Sequence, residues 1–316
     1  MKLSPKLMRQ LYRVFLLSIA TLAIGAPSWA QEPYKTIPGR PAAPAKTIGQ
    51  TLPPPHPTMQ HYTGKTSTTA SSSKPRTYAP GYARPVNAPA VKYTWRKNIV
   101  TTIFWTGEKP SARNPTTNVK SSWDTKWMKN FGGYDNPDKS QRTYDFCAKG
   151  FTPKQNPFYC ALPYNDVASW NRTKPEAATM IPWFRNYFRK PGKTVLKGRW
   201  IAIHLNGKTC FAQWEDVGPF RTDDWSYVFG QSRPINQQNG GAGLDVSPAV
   251  RDYLGLRSGQ RCHWRFVELH EVRPGPWKKY GDNNHFVKVQ KRELEIQRAE
   301  MERLRKLRDE HLRNRR

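Results

Sequence analysis

Asn206-Gly207-Lys208-Thr209-Cys210-Phe211-Ala212-Gln213-Trp214-Glu215-Asp216-Val217-Gly218-Pro219-Phe220, followed by Gly243-Leu244-Asp245-Val246-Ser247-Pro248-Ala249-Val250-Arg251-Asp252-Tyr253-Leu254-Gly255-Leu256, carries the strongest local signals in the chain. The first run reads as a tight Asn-Gly turn, a strand, and a carboxylate where Gly-Pro breaks that strand. The second reads as a strand end carrying another carboxylate, then a short helix. Ser247 is its N-cap, Pro248 takes its first position and Gly255 ends it. Two acids at the ends of two apolar strands are the best chemical lead in the sequence.

Outward from this pair, Arg199 to Leu205 is a strand, and the Asn-Gly turn joins it to Lys208–Glu215 as a hairpin. Asn98 to Trp105, Asn156 to Tyr164 and His263 to Glu268 are further strand candidates, rich in β-branched and aromatic residues. Ser122 to Lys129 reads as a short helix with a Ser cap, stopped by Gly132-Gly133. Ile181 to Tyr187 is short and aromatic, and Gln231 to Gly243 is a Gln/Asn/Gly loop. Several short strands with few helices point to a small β-rich barrel rather than a βαβ sheet. Phe286 to Arg316 contains no Gly or Pro and is rich in Glu, Arg, Lys and Leu. It is expected to form a solvated basic helix. Val287, Leu294 and Met301 fall seven apart, but Arg308 follows them, so the heptad seam breaks.

The N-terminal part is of another kind. Met1 to Ala30 has a positive start (Lys2, Lys6, Arg9, Arg13), an apolar run from Val14 to Ile24, and small residues at Ser28-Trp29-Ala30. These are the parts of a secretory signal, and the apolar run is far shorter than the roughly 20 residues a spanning helix needs. No Cys follows it to carry a lipid anchor. Gln31 to Lys92 holds 12 prolines and one acid, Glu32, and reads as an extended linker. The expected organisation is therefore a signal over 1–30, a linker over 31–92, a folded domain over 93–275 and a basic helix over 286–316. The expected location is the periplasm or the exterior, with no stable transmembrane segment after cleavage.

The net charge is +29, from 52 Lys and Arg against 23 Asp and Glu. In an exported protein such charge favours anionic envelope polymers, peptidoglycan among them. The basic tail lacks interleaved aromatics, so nucleic acid is not the expected partner. Export also changes the reading of Cys147, Cys160, Cys210 and Cys262. An even count in an oxidising compartment suggests two disulfides, with three pairings open. No two lie close enough for a zinc clip, and neither metal nor cofactor is expected.

Asp216 sits between Trp214 and Val217-Gly218-Pro219-Phe220, an apolar setting that raises a carboxyl pKa and suits a general acid. Its plainer role is to cap the following turn through backbone N–H groups. Asp245 lies two residues before the Ser247 cap, and its plainer roles are capping and pairing with Arg251. Asp166, in Ala161-Leu162-Pro163-Tyr164-Asn165-Asp166, is first a turn residue. His204 alternates with apolar neighbours and reads as structural. Cys210 with His263 is the weaker nucleophile reading. Glu215, Asp216, Asp223 and Asp224 match no calcium-loop spacing. Trp170, Trp183, Trp214, Trp225 and Tyr227 are candidate sugar-stacking residues, with core packing as the plainer alternative.

Val217-Gly218-Pro219-Phe220 after Asp216, together with Leu244-Asp245-Val246-Ser247-Pro248-Ala249 and Leu254-Gly255-Leu256, resembles the double-psi β-barrel of rare lipoprotein A and its relatives. The same barrel occurs in expansins, barwin-like proteins and MltA-type lytic transglycosylases. Asp216-Val217-Gly218 followed by Tyr227-Val228-Phe229-Gly230 is similar to a run in the last group. The similar region spans about Pro157 to Val267. The resemblance implies a mainly β fold: a six-stranded double-psi barrel with short helices, an N-terminal insertion over 93–150 and the basic C-terminal helix. It implies Asp216 as the catalytic strand-end acid and Asp245 as the acid before the helix. It implies Asp166 as a third candidate catalytic residue, standing where rare lipoprotein A has a His. The implied activity is that of a peptidoglycan lytic transglycosylase, with a non-catalytic, expansin-like polysaccharide binder or envelope-structure protein as the alternative.

Overall fold

The computed structural model describes residues 93–111 and 114–315. The expected signal and linker lie outside the described residues. Within them, six strands close into a barrel: β1 Arg96–Ile103, β2 Tyr159–Leu162, β5 Arg199–Leu205, β6 Lys208–Val217, β7 Leu244–Val246 and β8 Gln260–Val267. Around the barrel the order is β1-β7-β2-β6-β5-β8, and β8 returns to β1. β1 runs parallel to β7 and β2 parallel to β6, while the other neighbours are antiparallel. A separate two-stranded hairpin, β3 Val167–Ser169 with β4 Arg172–Thr173, stands outside the barrel.

The local signals act where they are strongest. Asn206 and Gly207 both take positive φ, 47° and 78°, as the mirror-image hairpin turn requires. β5 and β6 then pair without interruption from Leu205↔Lys208 to Arg199↔Trp214. Cys160, Leu162, Ile201, Ile203, Trp214 and Trp264 fill the interior. The segment before Gly150, expected to be an insertion, contributes β1 to the barrel, so only its remainder lies outside. That remainder carries a short helix, α1 Trp127–Phe131, which starts later than expected and ends at Gly132 with φ 109°. Phe104, Trp127, Phe131, Tyr159 and Ala161 make a second, smaller core on the outer face of β2.

Between β2 and β6 the register shifts. Cys160 pairs with Trp214, but the next residue, Ala161, pairs with Asp216, leaving Glu215 as a bulge. In a regular ladder Glu215 would stand opposite Ala161 and Asp216 would follow Trp214 into the interior. The bulge instead puts Asp216 beside Ala161, on the outer face.

Three short helices follow β4 or connect later strands: α2 Ala177–Met180, α3 Phe184–Tyr187 and α4 Trp225–Val228. The capped helix α5 spans Pro248–Leu254, with Gly255 at φ 67°. Ser247 is fully buried, and its Oγ accepts from Val250 N (3.3 Å) and Tyr159 N (3.4 Å), so it caps α5 and fastens β2 to it. Ser247→Ala strands both donors and is expected to lower unfolding free energy by about 1–2 kcal/mol in chemical denaturation.

The C-terminal helix, α6 His285–Arg313, starts at an Asn284 cap. At 1.5 Å per residue its 29 residues span about 43 Å. Val287 is its buried residue, and nearly all of the rest is exposed. Among the described residues no helix is long and apolar enough to cross a membrane.

The expected disulfides are not formed: Cys147, Cys160, Cys210 and Cys262 are all free and buried. Cys160 pairs across the ladders with Trp214 and Val246, Cys210 with Ile203, and Cys262 with Ile99, so no two are ladder partners. Burial pushes the Cys147 thiol up to about 12 and Cys262 to about 11, which keeps them as inert apolar side chains.

Candidate functional site

One row of residues crosses four neighbouring strands. Thr102 on β1 pairs with Asp245 on β7, Asp245 with Ala161 on β2, and Ala161 with Asp216 on β6. Residues paired in this way share a face, so both carboxylates point to the same side with only a methyl group between them. Two strand spacings put their Cα atoms about 10 Å apart. The end of β6 also closes in on Asp245: a Cβ at Gly218 would lie 3.6 Å from Asp245 Oδ2 and 3.9 Å from the Ala161 Cβ.

The row forms the floor of an open groove of about 910 Å³. One wall is the chain after β1, where Gly107 N donates to Asn118 O (2.8 Å) and Asn118 N to Glu108 O (2.9 Å). The other is the loop after β6, Gly218 to Thr222. On that loop Phe220 takes φ 57° and leaves its ring 40% exposed at the rim. A bulky side chain in the left-handed region is strained, a feature concentrated at functional sites. Lys120 and Arg221 bring positive charge to the lining, and Arg221 is paired with Asp223 at 3.0 Å. Trp105 also lines the groove, and its buried indole Nε1 has no hydrogen-bond partner among the described residues.

The two acids differ. Asp216 is 8% exposed and its Oδ1 accepts from Ser122 N and Val217 N, each at 2.7 Å. Burial raises its pKa, and the two backbone donors work in the opposite direction. Asp245 is half-buried; Oδ1 accepts from the Thr102 hydroxyl. Burial pushes its carboxyl up to about 7, the Thr102 bond opposes this, and the charges of Glu108 and Asp216 add to the rise. Asp245 is therefore the group poised to hold and release a proton near neutrality, whereas the sequence pointed first to Asp216.

Glu108 is a third acid in the lining. Asn118 Nδ2 donates to its Oε2 at 2.7 Å, and burial raises its pKa. Nothing in its local sequence marks it, because it lies in a stretch without periodicity. Thr102 sits near the end of β1 in Thr101-Thr102, where only the register with Asp245 distinguishes it.

Other expected residues are elsewhere. Asp166 is fully buried and outside the groove lining; Oδ2 accepts from Val195 N at 2.8 Å, and burial raises its pKa. It holds the 194–195 turn and does not join the pair. Trp183, Trp214 and Tyr227 are core residues: Trp183 Nε1 donates to Val195 O (2.8 Å), Trp214 Nε1 to Asp216 O (2.7 Å), and Tyr227 takes the Trp264 indole N–H (2.6 Å). None can present a face to sugar. Trp225 is 38% exposed but is not part of the groove lining. Glu215 turns from Asp216 to Asn283 (3.0 Å) and Lys197 (3.8 Å), and burial pushes it up to about 7. Asp224 caps α4 and Asp223 binds Arg221, so the acids of this region are dispersed. His204 meets Thr209 at 3.0 Å and stacks on His263, a structural pairing across β5 and β8.

No protein-family model matches this chain, and comparisons with curated proteins and with solved structures return no match either.

Proposed function

We propose that the protein is exported and acts on cell-wall glycan as a peptidoglycan lytic transglycosylase, with Asp245 and Asp216 as its acid/base pair. The observation that carries this reading is the pair itself: two carboxylates of raised pKa on one face of an open groove, flanking Ala161. The two parallel pairings, β1 with β7 and β2 with β6, support a barrel of double-psi type. Export rests on Met1 to Ala30 alone, since the free cysteines remove the disulfide argument for an oxidising compartment.

The reaction needs one group that changes role and no cofactor. Protonated Asp245 gives its proton to the glycosidic oxygen, and the C1–O bond breaks. As carboxylate it then takes the proton from the C6 hydroxyl of the same sugar, whose oxygen closes a 1,6-anhydro ring on C1. Asp216, fixed by two backbone N–H groups, faces the positive charge that develops at the anomeric carbon. Lys120 and Arg221 line the groove and supply positive charge that suits the carboxylates of a peptidoglycan chain.

A second reading, a non-catalytic expansin-like polysaccharide binder or envelope-structure protein, is favoured by one arrangement. Asp216 is tied to backbone donors, and Asp166 does not join it. Incubating the purified protein with isolated peptidoglycan and analysing the soluble products by mass spectrometry separates the two. Release of 1,6-anhydro-muropeptides is expected. Tight, salt-sensitive binding to the wall without such products would establish the second reading instead.

A further inference from the structure

The hairpin β3–β4 carries Trp170 at its tip, 87% exposed. The neighbouring loop is seated directly against it. Gly192 N donates to Thr173 Oγ1 at 3.4 Å, and a Cβ on Gly192 would lie 2.0 Å from Trp170 O. With Gly192 at φ 74°, glycine is required there for both backbone reasons. Hairpin and loop therefore form one surface.

The stretch of chain that builds it is strongly basic. Between Val167 and Lys193 the chain has Arg172, Lys174, Arg185, Arg189, Lys190 and Lys193 against one acid, Glu176. Glu176 Oε1 already accepts from Tyr164 OH at 3.3 Å. Lys174 is engaged with Thr222 O at 2.6 Å. The other five cations are exposed, and among the described residues none of them belongs to an ion pair. The polar side chains beside Trp170 satisfy each other, Ser169 Oγ with Asn171 Oδ1 at 3.1 Å. They leave no directed hydrogen-bond set around the indole, as a sugar platform would need. A protruding indole set among cations matches the headgroup region of an anionic bilayer. There the ring sits at the interface while Lys and Arg meet the phosphates.

We propose that this face docks the protein on a phospholipid bilayer surface carrying anionic headgroups, with Trp170 entering the interface and Arg172, Arg185, Arg189, Lys190 and Lys193 supplying charge attraction. None of these residues lines the groove, and the proposal does not depend on the glycan reading. The test uses the full chain and vesicles of phosphatidylcholine with about one-third phosphatidylglycerol, with pure phosphatidylcholine as the neutral comparison. Co-sedimentation with the anionic vesicles, weakened by salt, is expected. Trp170→Ser, and separately Arg189→Glu with Lys190→Glu, should each lower the partition about tenfold, with Trp170→Phe retaining most of it. Lipids brominated in the acyl chain should quench part of the wild-type tryptophan fluorescence and spare the Trp170→Ser protein. That readout is insensitive to binding through the basic α6. Thermal melts at the wild-type temperature certify the variants as folded. Absence of vesicle binding, equal binding to neutral vesicles, or a Trp170→Ser protein that partitions and quenches like the wild type would each overturn the proposal. So would variants that lose binding to isolated cell-wall glycan while vesicle binding is unchanged, since the partner would then be the glycan.

Discussion

Asp245→Asn is expected to lower release of 1,6-anhydro products by roughly 10²–10⁴-fold, the range lost with a general acid–base group, while wall binding is retained. An amide has the same shape and can still accept from Thr102, but it cannot give a proton to the glycosidic oxygen. The pH profile gives an independent check. Because burial pushes Asp245 up to about 7, kcat/KM should fall as pH rises through that value and the acid is lost. On the acidic side it should fall as Asp216 is protonated, its carboxyl raised from the ordinary Asp value by burial. Asp216→Asn should remove that acidic limb. Stability has a matching sign. The folded state holds a proton on Asp245 that the unfolded chain releases between about pH 4 and 7, so stability is highest below this window and declines as pH rises through it. Thermal melts at pH 5 and pH 8 should show a smaller decline in Asp245→Asn than in the wild type. Part of the decline remains, because Glu215 is also pushed up to about 7. An equal decline in both proteins would mean that Asp245 is ionised in the folded state, and the acid role would go with it.

What could be read from the chain and what could not follow one physical division. The Asn206-Gly207 hairpin and the Ser247–Gly255 helix are decided by residues within a few positions of each other, through left-handed φ values and a capping hydroxyl, and they form at the expected places. Asp216 and Asp245 are visible as strand-end acids for the same reason. Their convergence is not local: it depends on β2 being inserted between β6 and β7, more than 40 residues away in sequence from either. The bulge at Glu215 then changes the phase of the alternation, so side-chain direction cannot be counted along β6 from Trp214 to Asp216. Asp166 illustrates the opposite case. The Asn165-Asp166 turn signal was the informative one, and the carboxylate serves the Val195 backbone. The resemblance gave that position a catalytic meaning that the local chemistry does not repeat. Glu108 was invisible because a carboxylate in an aperiodic loop has no pattern to belong to. The cysteines misled because their even number carries no geometry; three stand on barrel strands whose ladder partners are other residues.

Trp214→Ala should be the most damaging single change to the barrel, by about 3–5 kcal/mol, out of the 5–15 kcal/mol that holds a domain folded. Trp214 is fully buried, with ring centroids 5.7 Å from Trp123, 6.0 Å from Phe266 and 6.3 Å from Phe229. Its loss opens a cavity between the barrel interior and the turn that supplies the Ser122 N–H to Asp216. It also frees Asp216 O, which now accepts the indole N–H at 2.7 Å. Trp214→Phe separates these effects: it keeps most of the apolar volume and removes only the donor. A buried carbonyl left without its partner costs about 1–3 kcal/mol. The peptide of Asp216 then loses its inner anchor while its carboxylate keeps the two outer ones. If Asp216 must be fixed to face developing charge, Trp214→Phe should reduce kcat more than it raises KM, even after correction for the folded fraction. A sugar-stacking role for Trp214 predicts the reverse: an unchanged melt, an unchanged kcat and a raised KM for Trp214→Ala. Denaturation of the alanine variant decides between them, since a ring with no exposed surface can affect glycan only through the fold that holds Asp216 in place.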